Sequence, residues 1–312
     1  MIPVQQALEI ILKQVPRLPV ISVPIEKASG YVLAEEVYSD INMPPFNKSS
    51  MDGYALKAED TQKTPAELQV VGFIPAGKYP DFKIQAGQAA KIMTGAPVPE
   101  GADSVQMVEK TEPIDDHRVQ ILESIETGKN ISWQGEIIQE GQKVLSNGTF
   151  ISPAVIGVLA TVGKTNLAVI KKPSVSILVT GDELVPVNQK PGPGQIRNSN
   201  GFTLYHQLLE LGITAEIQEI AADNLDDLTA KIQKGLESDV LLITGGVSMG
   251  DLDLVEDVFT KLGLKIYFNK VKIKPGKPTV FARHKNAVVF GLPGNPVSAA
   301  TVFEVLVKPA LY

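Results

Sequence analysis

The sequence predicts a three-layer α/β domain with a mostly parallel sheet, preceded by a β-rich N-terminal region and a linker. Three observations carry this reading. After Pro173, short apolar runs alternate with amphipathic helical patterns, the signature of buried parallel strands covered by helices. Before residue 150, apolar and polar residues alternate in short stretches between breaker clusters, as half-buried strands do. The change falls at Lys171-Lys172-Pro173, which divides the chain into an N-terminal and linker region, 1–170, and an α/β domain, 171–312.

Each element follows from its own pattern. Pro3 suits a first helical turn, Val4, Leu8, Ile11 and Val15 recur on one face, and Pro16 and Pro19 stop the helix. Val105 with Met107 and Val119 with Ile121 mark strands, separated by turn-formers at 96–101 and Asn147-Gly148. Ser152-Pro153 opens a helix through Val155, Ile156 and Leu159, closed by Gly163, and residues 165–170 form one more strand. Beyond the boundary, residues 175–179, 239–243 and 287–290 read as buried strands. Leu204, Leu208 and Leu211, then Leu228, Ile232 and Leu236, then Val255, Phe259 and Leu262 mark three helices.

Composition excludes several classes of function. The 312 residues carry a net charge of −6, against the basic surface of a general nucleic-acid binder. There is no cysteine, hence no disulfide, thiolate metal site or cysteine nucleophile. His117, His206 and His284 are the only histidines, so a metal would be a hard ion on carboxylates and phosphate oxygens. Neither a signal peptide nor an apolar run of roughly 20 residues is present, which reads as cytoplasmic with no membrane partner.

Each of the three apolar strands runs into an unusual loop: Thr180-Gly181-Asp182-Glu183, Thr244-Gly245-Gly246-Val247-Ser248-Met249-Gly250 and Gly291-Leu292-Pro293-Gly294-Asn295-Pro296. In open α/β sheets the ligand crevice lies beyond the carboxyl ends of the strands, so the three predict one site. Glycine lets main-chain N–H groups approach an anion. Neither nucleotide fingerprint, G-x-x-x-x-G-K-[ST] or G-x-G-x-x-G, is present. Lys270, Lys272, Lys274 and Lys277 surround Pro275-Gly276, and the last two suit phosphate or an oxyanion. The alternative for such a run is a solvated charged strand. Asp182, Glu183, Asp223, Asp251 and Asp253 lie near strand ends. Acids beside phosphate-binding lysines suit Mg²⁺-assisted phosphate chemistry, although Asp223 and Asp251 are equally placed as helix N-caps. Trp133 reads as a packing residue, and His284 as lying on a hairpin turn.

The segments Ser50-Met51-Asp52-Gly53-Tyr54-Ala55, Met93-Thr94-Gly95-Ala96-Pro97-Val98-Pro99, Thr180-Gly181-Asp182-Glu183-Leu184, Gly245-Gly246-Val247-Ser248-Met249-Gly250, Ile273-Lys274-Pro275-Gly276-Lys277-Pro278 and Gly291-Leu292-Pro293-Gly294-Asn295-Pro296-Val297-Ser298, in this order, resemble the MoeA family, which includes the enzymatic domain of gephyrin. The resemblance implies a homodimer, an inserted β domain near 45–140 and an α/β domain of the molybdopterin-binding type. The implied reaction takes adenylylated molybdopterin and molybdate, inserts the metal and releases AMP with Mg²⁺. An upstream molybdopterin adenylyltransferase is the implied partner. The implied site lies between the α/β domain of one subunit and the β domain of the other. Carried over by motif, Asp52, Thr94, Glu183, Asp223 and Asp253 are the catalytic positions, with Asp253 the Mg²⁺ contact. Asp182, Gly245, Gly246, Ser248, Lys274, Lys277, Pro293, Asn295, Pro296 and Ser298 are the substrate-binding positions.

Three departures stand out. Ser132 and Ile137 occupy positions where the family usually carries arginine and aspartate, and an isoleucine can neither bind a metal nor accept a proton. Asn198 stands where some members carry aspartate. The sequence stops at Tyr312, where members continue into a small β domain. One alternative is a molybdopterin-binding or scaffolding relative with impaired catalysis. The adenylyl transfer that precedes insertion is a second, and residues 20–150 argue against it because stand-alone enzymes of that type lack such a region.

Overall fold

Every side chain of Val175–Val179 and Val240–Thr244 is buried, as two-sided coverage of a central parallel strand requires. The computed structural model, which describes residues 1–246 and 254–311, places these strands at the centre of a six-stranded sheet. Its order is Ala215–Ile217, Val175–Val179, Val240–Thr244, Ala287–Leu292, Val280–His284 and Lys265–Phe268. The first four run parallel, and the remaining two are added antiparallel. His284 pairs with Ala287 at the predicted hairpin, where Lys285 takes φ 52°.

Alternate side chains fill two layers. Ile177, Leu242 and Phe290 pack with Ala7 and Ile11 of α1 (Val4–Gln14), with Leu204 and Leu208 of α3 (Asn200–Glu210), and with Val302 of α6 (Pro296–Val302). Leu178, Leu241 and Val289 pack on the other face against α4 (Leu225–Gly235) and α5 (Leu254–Lys261), which contribute Leu228, Ile232 and Phe259. Each large side chain so buried contributes about 1.5–3 kcal/mol. Helix α2 (Pro153–Thr161) starts and ends near its sequence signals.

The contacts divide the chain into two units. The first holds Met1–Ala34, Gly148–Pro153 and Asn166–Tyr312, and the second Glu35–Asn147 and Ala154–Thr165. This differs from a division at residue 170. The amphipathic face of α1 does not reveal its partner in sequence, and that partner is the α/β core. Ile2 extends the link by donating its N–H to the Lys270 carbonyl and accepting from the Lys272 N–H. Also in the first unit, Val20–Pro24, Asn166–Ile170 and Val32–Leu33 form a small antiparallel sheet.

The second unit is the β-rich region. Its main sheet has the order Ser104–Met107, Gly53–Leu56, Gln88–Ile92, Ala66–Ile74, Arg118–Ile121, Thr111–Asp115. All pairs are antiparallel except Ala66–Ile74 with Gln88–Ile92. Two short ribbons, Ile131–Ser132 on Lys48–Ser49 and Lys143–Leu145 on Val37–Tyr38, complete it. Among the described residues no helix is long and apolar enough to cross a membrane.

Candidate functional site

In the first unit the parallel order brings the carboxyl ends of three adjacent strands together, and side chains lock their loops. The buried Thr244 hydroxyl donates to the Pro293 carbonyl at 3.0 Å and accepts from the Asn200 amide at 2.9 Å. The same amide donates to the Gly294 carbonyl at 2.8 Å. Thr180 donates its hydroxyl to Asp223 at 2.7 Å, and the Asp223 N–H donates to Asp182 at 3.0 Å. The loop at 180–183 is thereby tied to residues 221–223, where Gly181 N–H also reaches the Ala221 carbonyl.

Asp223 is not the cap of α4. Asn224 takes that role, accepting from the Asp227 N–H at 2.9 Å, because its side chain sits one residue closer to the first helical turn. Asn295 caps α6 by accepting from the Ser298 N–H, and Pro296 occupies the first turn. Asn295 and Ser298 are therefore engaged with the helix start. Gly245 has φ 93°, and a Cβ there would stand 2.1 Å from the Thr180 carbonyl oxygen. Only glycine lets these two strand ends approach so closely. Gly246 continues the same loop; Ser248, Asp251 and Asp253 lie outside the described residues.

Glu183 is exposed, its carboxylate lying beside the Gly181 backbone. Lys274 and Lys277 flank the buried Gly276 in a turn, not a strand. Both are exposed, and neither joins an ion pair among the described residues. Pro275-Gly276 between the two lysines predicts this turn, and the solvated-strand alternative is set aside. Thr180 and Thr244 entered the sequence reading only as members of their loops, and Asn200 escaped it. The polar run Arg197-Asn198-Ser199-Asn200, leading into α3, was the signal that could have found Asn200.

A second polar cluster forms within the other unit. Asp52 accepts from the Thr94 N–H at 2.7 Å and from its hydroxyl at 2.8 Å, both on one carboxylate oxygen. The main-chain and then the side-chain hydrogen bond of Thr94 hold the Asp52 carboxyl below its ordinary range. Gly53 begins the next strand, and a Cβ there would lie 1.9 Å from the Gln106 carbonyl oxygen. Ser49 links the same loops: its carbonyl accepts from Gly95, and its N–H donates to Ala96. The Ser50 and Ser132 hydroxyls are 2.9 Å apart. Gln134 N–H donates to the Asn47 side chain at 2.9 Å, which draws residues 130–137 to the same edge.

Two apolar residues there are exposed, and Trp133 behaves unlike its reading as a packing residue. Trp133 is 44% exposed and Ile137 62% exposed, so neither packs in the core. The turn that carries them is held by polar bonds instead, Ile137 N–H to the Met43 carbonyl and Trp133 N–H to Glu136. A carboxylate at 137 would consequently be solvated. The double change Ser132→Arg with Ile137→Asp is expected to leave stability within about 0.5 kcal/mol of wild type. Urea denaturation checks this; a loss above about 2 kcal/mol would show that Ile137 is buried in the folded protein.

Residues 2–163 match the family model described as the MoeA N-terminal region (domain I and II), and residues 176–312 match one described as a probable molybdopterin binding domain. Curated proteins named molybdopterin molybdenumtransferase from Staphylococcus aureus and Staphylococcus epidermidis are each 38% identical over 315 residues, covering 99% of this chain and 75% of theirs. A crystal structure of the molybdopterin biosynthesis protein MoeA from Pyrococcus horikoshii superposes with a TM-score of 0.84 at 30% identity, covering 100% of this chain and 78% of that one. A second structure of MoeA from that organism gives 0.80 at 35% identity, with 79% of its length covered. With both halves matched in order and the fold shared along its whole length, the chain belongs to the MoeA family of molybdopterin molybdenumtransferases, enzymes of molybdenum cofactor biosynthesis.

Proposed function

We propose that this protein inserts molybdate into adenylylated molybdopterin and releases AMP. The observation that carries the reading is the locking of three glycine-bearing strand ends by Thr244, Asn200 and Thr180, with acids on one loop pair. Main-chain N–H groups at Gly245 and Gly246 suit phosphate oxygens. Lys274 and Lys277 suit the anionic end of the substrate as point charges. Ser248, with Pro293, Asn295, Pro296 and Ser298, belongs to the same substrate-binding set. Asp52 with Thr94, and Glu183 with Asp223, make up the catalytic set, together with Asp253.

The donor set fits Mg²⁺. Among the described residues no three acidic or histidine side chains gather, but this ion needs only one or two carboxylates beside phosphate oxygens. Among the described residues, Asp182 keeps one carboxylate oxygen without a hydrogen bond after accepting from the Asp223 N–H. Asp253 remains the assigned contact. Mg²⁺ bound there would supply charge stabilisation for the phosphate oxygens as the pyrophosphate link is cleaved. The protein's own part is to hold the pyrophosphate in line and keep its anionic ends in register.

The decisive experiment incubates the protein with adenylylated molybdopterin and follows AMP. Release should require both molybdate and Mg²⁺ and should cease on chelation with EDTA. Retention of the pterin without AMP release under all conditions would favour the binding or scaffolding alternative.

Two further results are expected. Lys274→Gln and Lys277→Gln should each weaken binding of the anionic substrate by about 1.5–3 kcal/mol, the scale of a charge-assisted hydrogen bond. The loss should shrink at high salt, because both ammonium groups are exposed. Equal affinities in equilibrium dialysis would remove the lysines from the site. The protein should also act as a homodimer. Mixing inactive Asp52→Ala and Glu183→Gln proteins should then restore part of the AMP release, because one hybrid site is intact. A monomer in light scattering that still turns over would refute the dimer.

A further inference from the structure

Residues 258–303 hold eight lysines and arginines and no aspartate or glutamate, although the whole chain has 35 acidic residues against 29 basic ones. The rest of the protein is therefore strongly acidic. This basic stretch forms one side of the α/β sheet. Lys265–Phe268 is the terminal strand, paired with Val280–His284 and with no strand beyond it among the described residues. Lys265 lies directly opposite Arg283 in that pair, so two like charges share one face of the sheet.

The charge has no internal partner among the described residues. None of the eight joins an ion pair there. The only carboxylate bonded to the stretch, that of Glu256, accepts from the Asn269 amide at 3.1 Å. Like charges placed opposite one another oppose folding. A lysine on an edge strand keeps foreign strands from pairing with it, but such protection needs one or two charges and leaves the others without a role. Lys265, Lys272 and Lys285 are exposed, and the backbone beneath the stretch is fixed. The Lys270 carbonyl and the Lys272 N–H bond to Ile2, Val271 N–H donates to the Lys277 carbonyl at 3.0 Å, and Arg283 Nε donates to the Lys285 carbonyl at 2.9 Å. A row of uncompensated cations on a fixed backbone is preorganised for an anionic partner.

We propose that this basic edge docks a short acidic segment of another protein. Four residues of terminal strand span about 13 Å, which suits a segment rather than a broad surface. A nucleic-acid duplex or a bilayer would run past the strip onto the acidic remainder and be repelled. Single-stranded nucleic acid needs exposed rings for stacking, and every aromatic side chain of residues 258–303 is buried or half-buried. Docking at the strand leaves Lys274 and Lys277, on the adjoining turn, to the substrate, and it stands independently of the proposed reaction.

The test titrates fluorescein-labelled decaglutamate with the full chain and follows anisotropy. Saturable binding is expected, weakening as salt rises because the cations are exposed. The triple variant Lys265→Gln, Lys272→Gln, Lys285→Gln should bind about tenfold more weakly, the combined scale of three exposed ion pairs. Changing Lys57, Lys83 and Lys110 of the second unit to glutamine should leave the affinity unchanged, because each is already paired with a glutamate. The thermal midpoint of the first variant should hold or rise, since the charges it removes repel one another. No saturable binding, equal affinity in the first variant and wild type, or a clear fall in its thermal midpoint would each overturn the proposal. Tighter binding of decathymidylate or of phosphatidylserine vesicles than of decaglutamate would assign the edge to nucleic acid or to a membrane instead. A change in molar mass by light scattering in the first variant would make the edge a contact between copies of this chain, which also defeats it.

Discussion

Replacing Asp52 with alanine should lower AMP release by about 10²–10³-fold, the cost of misplacing a reacting group by about an ångström. The carboxylate holds both the main-chain and side-chain donors of Thr94, so its removal frees the loop at 93–99 as well as deleting a charge. Asp52→Asn retains an acceptor and should lose less, and Thr94→Ser should stay close to wild type because its hydroxyl persists. The pH dependence follows from the sign of the shift. A carboxyl held below its ordinary range contributes stability that is fully present above its unfolded value of roughly 3.9 and is lost as pH falls through the folded one. Acid inactivation in wild type attributable to Asp52 should thus begin below the usual carboxylate range. Comparison of steady-state AMP release across Asp52→Ala, Asp52→Asn and Thr94→Ser decides the matter, and equal rates in all three would detach this pair from the reaction.

Gly245→Ala should be among the most destabilising single substitutions in the chain, costing about 3–5 kcal/mol. The added methyl would meet the carbonyl of Thr180, which is itself 1% exposed and hydrogen-bonded through its own side chain, so neither partner can retreat. The φ of 93° adds backbone strain for any L side chain. Gly157 provides the opposite case. It is exposed in α2 with nothing within 4 Å of a built Cβ, so Gly157→Ala should stabilise by about 0.5–1 kcal/mol. Urea midpoints for the two variants should move in opposite directions. A neutral Gly245→Ala would mean that the strand ends are looser than their hydrogen bonds imply.

The regular elements were legible because their periodicity states which faces are buried. Apolar runs at 175–179 and 287–290 could only be covered strands, and helices with Leu204 and Leu208 or Leu228 and Ile232 had to lie on them. The convergence of three loops followed from strand direction alone. Pairings across long separations were not legible. Thr94 reaches Asp52 over 42 residues, and nothing in either segment specifies the other without the family motif. Asp223 and Asn224 both carry capping chemistry, and only the register of α4 decides between them. Trp133 misled because hydrophobic character predicts burial on average, whereas a turn fixed by main-chain hydrogen bonds can present such a residue to solvent.

The placement of α1 has a consequence for synthesis on the ribosome. Ala7 and Ile11 belong to the same core as Phe303 and Leu306, so α1 meets these packing partners only after the residues between them have been translated. The second unit, most of it the continuous stretch Glu35–Asn147, is free to assemble much earlier. At about 5–20 residues per second, the apolar stripe of α1 waits tens of seconds beside a finished β domain. Its modest length and the polar residues between its apolar positions let it remain solvated through that interval, which makes α1 a late-closing clasp on the α/β core.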